Sequence, residues 1–133
     1  MNMNFEEILR YLQANGWPVE RLGDTTARSS FTSANRTFPF FVHIDAMFVT
    51  LAAVPYARLP ASETAANKLM DRLLHLNREI NLAKFSVDDD GDVVLSVEYP
   101  LADLQDSEVC DALQAICFYA ERHWEEVSAL ADS

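Results

Sequence analysis

The chain has 133 residues, half of them hydrophobic, with eight Phe and a formal net charge of −11 from 21 acidic against 10 basic side chains. One domain of this length hides roughly two thirds of the unfolded chain's surface, enough for a core without staples, and the apolar content excludes disorder. A field of this sign repels phosphate backbones, and Arg28, Arg36, Arg58, Lys68, Arg72, Arg78 and Lys84 are too scattered to form a basic patch, so no nucleic-acid partner is expected.

The opening MNMNFEEILRYL has no basic segment and carries Glu6 and Glu7 where a signal peptide needs apolar residues. Asn4 followed by Glu7 resembles a capping box, with Asn in place of Ser or Thr. Phe5, Ile8, Leu9 and Leu12 then mark one helical face, and Gly16 with Pro18 ends the helix. Residues 19–22 suit a short strand, and residues 28–33, polar and weakly patterned, suit an edge strand. Residues 37–44 alternate cleanly, placing Phe38, Phe40, Val42 and Ile44 on one face and Phe41 and His43 on the other. A tight turn at Asp45-Ala46 then pairs Ile44 with Met47, Val42 with Val49 and Phe40 with Leu51, all apolar pairs. Pro39 lacks a donor and belongs at a strand's outer side or near its start.

Pro55 and Pro60 bracket the exit from these strands, and a long helix is predicted over residues 62–81, with Leu69, Leu73, Leu76 and Ile80 on its buried side. The period then changes to two. A two-residue loop at Asp90-Gly91 would set Phe85 opposite Ser96 and turn the apolar sets to opposite faces. A three-residue loop, Asp89-Asp90-Gly91, pairs Val87 with Val93, Phe85 with Leu95 and Ala83 with Val97. Facing residues of antiparallel strands share a side, so burial selects the second register, with Gly91 in the left-handed position. Pro100 stops the strand, and Asp103 or Asp106 caps a last helix to about Leu130 with Val109, Leu113, Ile116, Ala120, Trp124 and Val127 on its apolar face. No apolar run approaches the ~18 residues of a membrane helix, so a soluble, cytoplasmic protein without a membrane partner is expected. Cys110 and Cys117, seven apart on this helix, stand about 10 Å apart along its axis and read as core thiols in a reducing compartment.

Strand runs joined by hairpins, with inserted helices, predict a single domain over residues 1–133, an α+β fold whose antiparallel sheet carries its helices largely on one face. LNREINLAKFSVDDDGDVVLSVEYP, followed by an acidic helix with aromatics, resembles the YbjN-like proteins, a bacterial family linked to sensory-transduction regulation. Their fold is similar to that of type III secretion chaperones of the Tir-chaperone kind. The resemblance rests on the LN pair, the KF in the strand and the DG turn in this order. It implies the order α-β-β-β-α-β-β-α, usually a homodimer, and a small acidic protein that acts by binding another protein, without catalytic residues to carry over.

The chemistry-bearing residues give little else. From Asp88 the sixth and twelfth positions of a calcium loop hold Val93 and Tyr99 instead of Gly and Glu, so Asp88, Asp90 and Asp92 read as a solvated hairpin tip. Asp71 and His75 share a helix face, but a zinc site needs three or four ligands, and nothing in the sequence places the remaining imidazoles, His43 and His123, beside them. No nucleophile elbow or phosphate loop is present. No metal, cofactor or catalytic residue is therefore expected. Two apolar sets qualify as a partner or dimer surface. Phe41, His43, Phe48 and Thr50 share the sheet face opposite Phe40, to be covered either by a helix over residues 5–15 or by a partner. Ala66, Met70 and Leu74 widen the apolar arc of the long helix, either into the core or into a dimer. The leading expectation is a homodimeric, non-enzymatic protein-binding module, chaperone-like or regulatory. The alternatives are a small-ligand sensor with a pocket between the sheet and the long helix, and a hydrolase using His75 or His43.

Overall fold

The structure, a computed structural model, describes residues 3–133; Met1 and Asn2, which begin both the expected domain and the segment read for a signal peptide, lie outside the described residues. The elements in order are α1 (Phe5–Ala14), β1 (Glu20–Arg21), β2 (Thr26–Ser33), β3 (Arg36–Ile44), β4 (Phe48–Arg58), α2 (Glu63–Glu79), β5 (Lys84–Val87), β6 (Asp92–Pro100) and α3 (Asp106–Ala131). The strands form one antiparallel sheet in the order β1-β2-β3-β4-β6-β5.

Local chemistry sets most boundaries. The Asn4 side chain accepts from the Glu7 N–H (2.9 Å), the Glu7 side chain accepts from the Asn4 N–H, and Gly16 takes φ +85° beyond the last turn of α1. The Ser62 hydroxyl caps α2. At α3 the cap position is held by Gln105, whose N–H is accepted by Glu108, instead of by Asp103 or Asp106. The β5–β6 hairpin has the register burial demands: Val87 pairs with Val93 and Phe85 with Leu95, and Gly91 sits at φ +78°. The Asp88 carboxylate ties the tip by accepting from the N–H groups of Asp90 and Asp92. Ala83 is buried just ahead of β5, so its expected pairing with Val97 falls outside the ladder.

Other expectations about the strands also need correction. At the β3–β4 turn, Ile44 pairs with Val49, Val42 with Leu51 and Phe40 with Ala53, two residues beyond the predicted register. The cause is Asp45, whose carboxylate accepts from both Met47 and Phe48 N–H groups at 2.7 Å and so holds a wider turn. These hydrogen bonds also lower the Asp45 pKa. Because the slip is even, every side chain keeps its face. Second, Pro55 lies inside β4, in a bulge where the step from Ala53 to Ala57 faces only Leu95 to Val93 on β6. Third, the polar strand β2 is shielded at one end by β1, which reaches only Ala27 and Arg28; the edge begins at Ser29.

Ala34 and Asn35, at φ 53° and 58°, make the tight turn between β2 and β3. That turn makes Ser33/Arg36, Phe31/Phe38 and Ser29/Phe40 the hydrogen-bonded pairs, leaving Pro39 directed toward β4, where the ladder starts only at Phe40. A missing donor is harmless there.

All three helices pack on one face. Phe5, Ile8, Leu9 and Leu12 of α1, Leu69, Leu73 and Leu76 of α2 and Val109, Leu113, Ile116 and Val127 of α3 join Phe38, Phe40, Val42, Leu51 and Leu95 in one hydrophobic cluster. Arg21, on the same side as buried Ala27, lies over the Phe5 ring and pairs with Glu6. Thus α1 does not cover the opposite face, and that expectation is withdrawn. Tyr56, fully buried from the bulge, donates to the Ala120 carbonyl at 2.7 Å and binds the sheet to the middle of α3. Burial drives its phenol pKa upward.

Candidate protein-binding surface

Cross-strand pairing assembles the helix-free face into two rows. One runs Arg28, Phe41, Ala52, Ser96 and Lys84; the other runs Thr26, His43, Thr50 and Glu98. In the first row the Arg28 guanidinium lies 5.8 Å from the centre of the half-buried Phe41 ring. In the second, His43 Nδ1 is 2.8 Å from Thr26 Oγ1, and Thr50 donates to Glu98 at 3.3 Å. Phe48 is half-buried beside Pro100. Phe41, His43, Phe48 and Thr50 therefore share one surface, with Ala52 and Ser96 at its floor only 8% and 4% exposed. Among the described residues the helices pack against the other face of the sheet.

The second set lies elsewhere. On α2, Ala66, Met70 and Asn77 follow one another at steps of four and seven and form the flank turned to β5. Asn77 marks that flank by a two-point contact: its Nδ2 donates to the Phe85 carbonyl (2.9 Å) and its Oδ1 accepts from the Phe85 N–H (2.6 Å). Met70 and Ala66 are half-buried, and Leu74, a step further out, is 70% exposed. The opposite flank is locked to α3 by a two-point ion pair between Arg72 and Glu126. The two predicted sets are thus separated by the edge strand β5 and do not merge into one patch. Sequence reasoning passed over exposed Phe118 and Met47, at 58% and 67%, and over the clamp by Asn77.

Among the described residues no three His, Cys, Asp or Glu side chains stand close enough to hold a metal ion, and no helix is long and apolar enough to cross a membrane. His75 Nδ1 contacts the main-chain carbonyl of Asp71 at 2.8 Å, with the carboxylate more distant at 3.7 Å. Cys110 and Cys117 are free thiols, and burial raises the Cys117 pKa. His123 is buried between Phe85 and Tyr119, with Nε2 unpartnered. Burial is the main cause lowering its pKa, and Arg122 adds to it.

Solved structures place this architecture among known ones. A chain of the heterodimeric ExoU–SpcU complex from the type III secretion system of Pseudomonas aeruginosa is 17% identical, with a TM-score of 0.61 over 92% of this chain and 96% of that one. A chain of the ExsC–ExsE complex is 16% identical (TM-score 0.62, covering 96% and 98%). YbjN of E. coli is 12% identical (TM-score 0.64, covering 91% of each chain). At such identities the likeness establishes the fold, that of type III secretion chaperones. No curated protein sequence matches the chain. The YbjN family model, described as "Putative bacterial sensory transduction regulator", matches residues 4–128. With nearly the whole chain matched and the fold in agreement, the protein belongs to the YbjN family.

Proposed function

We propose that the protein is a single-domain, non-enzymatic protein-binding module, chaperone-like or regulatory, that works in the cytoplasm as a homodimer. The observation that carries this reading is the outer flank of α2. Its core side is already sealed by Leu69, Leu73 and Leu76, yet Leu74 is left 70% exposed beside Met70 and Ala66. An apolar stripe without cover inside one chain is a contact surface. A second copy offers the same flank and buries both, as a two-fold contact requires.

The helix-free face with Phe41, His43, Phe48 and Thr50 is the surface assigned to another protein. Its polar groups are paired along the rows, so covering them leaves few unsatisfied. Two fold neighbours are themselves known in complexes, ExoU with SpcU and ExsC with ExsE, which supports a protein-binding role. Both free thiols agree with a reducing compartment.

Gel filtration with light scattering at tens of micromolar tests the dimer. The wild type elutes as a dimer, and Leu74→Glu elutes as a folded monomer; a monomeric wild type refutes the homodimer. Capture of a partner from the source cytosol tests the sheet face. Phe41→Glu loses a partner that Leu74→Glu retains, and equal capture by both refutes the assignment.

A further inference from the structure

We propose that the cavity between the β4 bulge and the last turns of α3 binds a small carboxylate. This site is separate from both protein-binding surfaces. The cavity, about 480 Å³, is bounded by Pro55, Tyr56, Leu59, Trp124 and Ala131, with Arg36 and Arg58 as its cationic groups. Its size falls within the roughly 300–1,000 Å³ used for small ligands.

Three features select the ligand class. First, the charge of the lining runs against the charge of the molecule. In a chain of net −11, the lining of this cavity holds two guanidiniums and one carboxylate, Asp132, with Asp92 outside it 3.6 Å from Arg58. By contrast, in the cavity between α2 and α3, Arg72 and Arg122 meet Glu79 and Glu126, and in the one beside α1, Arg10 meets Glu7 and Asp106.

Second, Arg36 is held in place without being neutralised. Its guanidinium carbon lies 4.5 Å from the centre of the Trp124 ring and 5.8 Å from that of Phe38, and among the described residues no carboxylate oxygen lies within 4.0 Å of it. Contact with the rings holds the guanidinium at the cavity and leaves N–H donors for a forked contact, the geometry that a carboxylate matches. Arg58 is held only loosely, 3.6 Å from Asp92, with its side chain 78% exposed, so it can turn toward an anion.

Third, the buried hydroxyl at the floor of the cavity is already used. The Tyr56 hydroxyl donates to Ala120, so it does not compete for the two guanidiniums. An occupant here also rests against Leu59, Pro60 and Ala61, the segment that leads into the Ser62 cap of α2.

The test is a titration with 2-naphthoate, with 2-naphthylmethanol as the neutral analogue and 2-naphthyl phosphate as the alternative anion, read by amide and indole NMR shifts. Trp124 lines the cavity, whereas Trp17 packs on Phe31 and Phe40 and serves as the internal control. Saturable shifts of the Trp124 indole and of Leu59 and Ala61, with Trp17 unmoved, are expected for the carboxylate. The alcohol gives none. Arg36→Gln and Arg58→Gln each weaken binding about tenfold, and Asp132→Asn tightens it. Arg58 is exposed, so its variant reads the charge requirement even where loss of Arg36 from Trp124 disturbs the fold. Absence of saturation at millimolar 2-naphthoate, equal binding of the alcohol, unchanged affinity in Arg58→Gln, or tighter binding of the phosphate would each overturn the proposal.

Discussion

Asn77 is the residue whose replacement tests the architecture most sharply. It lies on α2 but acts as a strand, because its amide satisfies the N–H and the C=O of Phe85 in the middle of edge strand β5. Asn77→Ala removes two hydrogen bonds worth about 1 kcal/mol each, and it leaves two partly buried backbone groups without partners at a further penalty. Their partial access to water keeps that penalty at the low end, so the total is about 2–3 kcal/mol. Asn77→Asp is more discriminating. At neutral pH its carboxylate still accepts from the Phe85 N–H but opposes the Phe85 carbonyl with a second acceptor. Once protonated, the acid donates again. The neutral form is therefore favoured in the folded state, the introduced Asp has a raised folded pKa, and its stabilising contribution is present in acid and lost as pH rises through that pKa. Urea unfolding at fixed protein concentration measures both variants against wild type at each pH. An Asn77→Ala loss below about 0.5 kcal/mol refutes the clamp as a stability element. A penalty for Asn77→Asp that stays constant from neutral to acid pH refutes the donor role.

Three further outcomes follow from burial and backbone geometry. The buried His123 has a folded pKa below its unfolded value, so the unfolded state takes up the proton first. Stability is then retained above about pH 6.5 and lost as pH falls through the folded pKa, and His123→Phe removes this component of the acid limb in urea titrations. Leu76→Ala, at a fully buried position, costs about 2–5 kcal/mol in the same assay, whereas Leu74→Ala weakens the proposed self-association with little effect on the unfolding slope. Gly91→Ala meets no atom within 4 Å, so its cost is backbone strain alone, about 1 kcal/mol. A much larger loss there would mean that the hairpin tip packs against something.

The features that the sequence made legible are those decided within a few residues or by parity. The capping pair Asn4 and Glu7, the α2 stripe of Leu69, Leu73 and Leu76, and the three-residue tip at Asp89-Asp90-Gly91 all have their causes in adjacent turns or facing positions. The resemblance carried by the LN pair and the KF strand pointed to the right family, and the structure supplies a physical link between the two, since Asn77 grips Phe85. The β3–β4 turn marks the limit of such reading. Registers differing by two residues bury the same faces, so hydrophobic pattern does not choose between them, and the Asp45 side chain does.

What lay beyond the sequence was decided by contacts between distant segments. Pairing of β4 with β6 across α2 places the bulge at Val54 to Tyr56, beside the cavity that Arg36, Arg58 and Trp124, far apart in the chain, line together. The choice of sheet face for α1 was also tertiary, because its apolar stripe suits either side and only the core already built by Phe40, Val42 and α3 makes one of them the lower in free energy. Alternation and helical period tell a side chain whether to be buried; which partners bury it depends on how the whole sheet closes, and no window of a few residues contains that information.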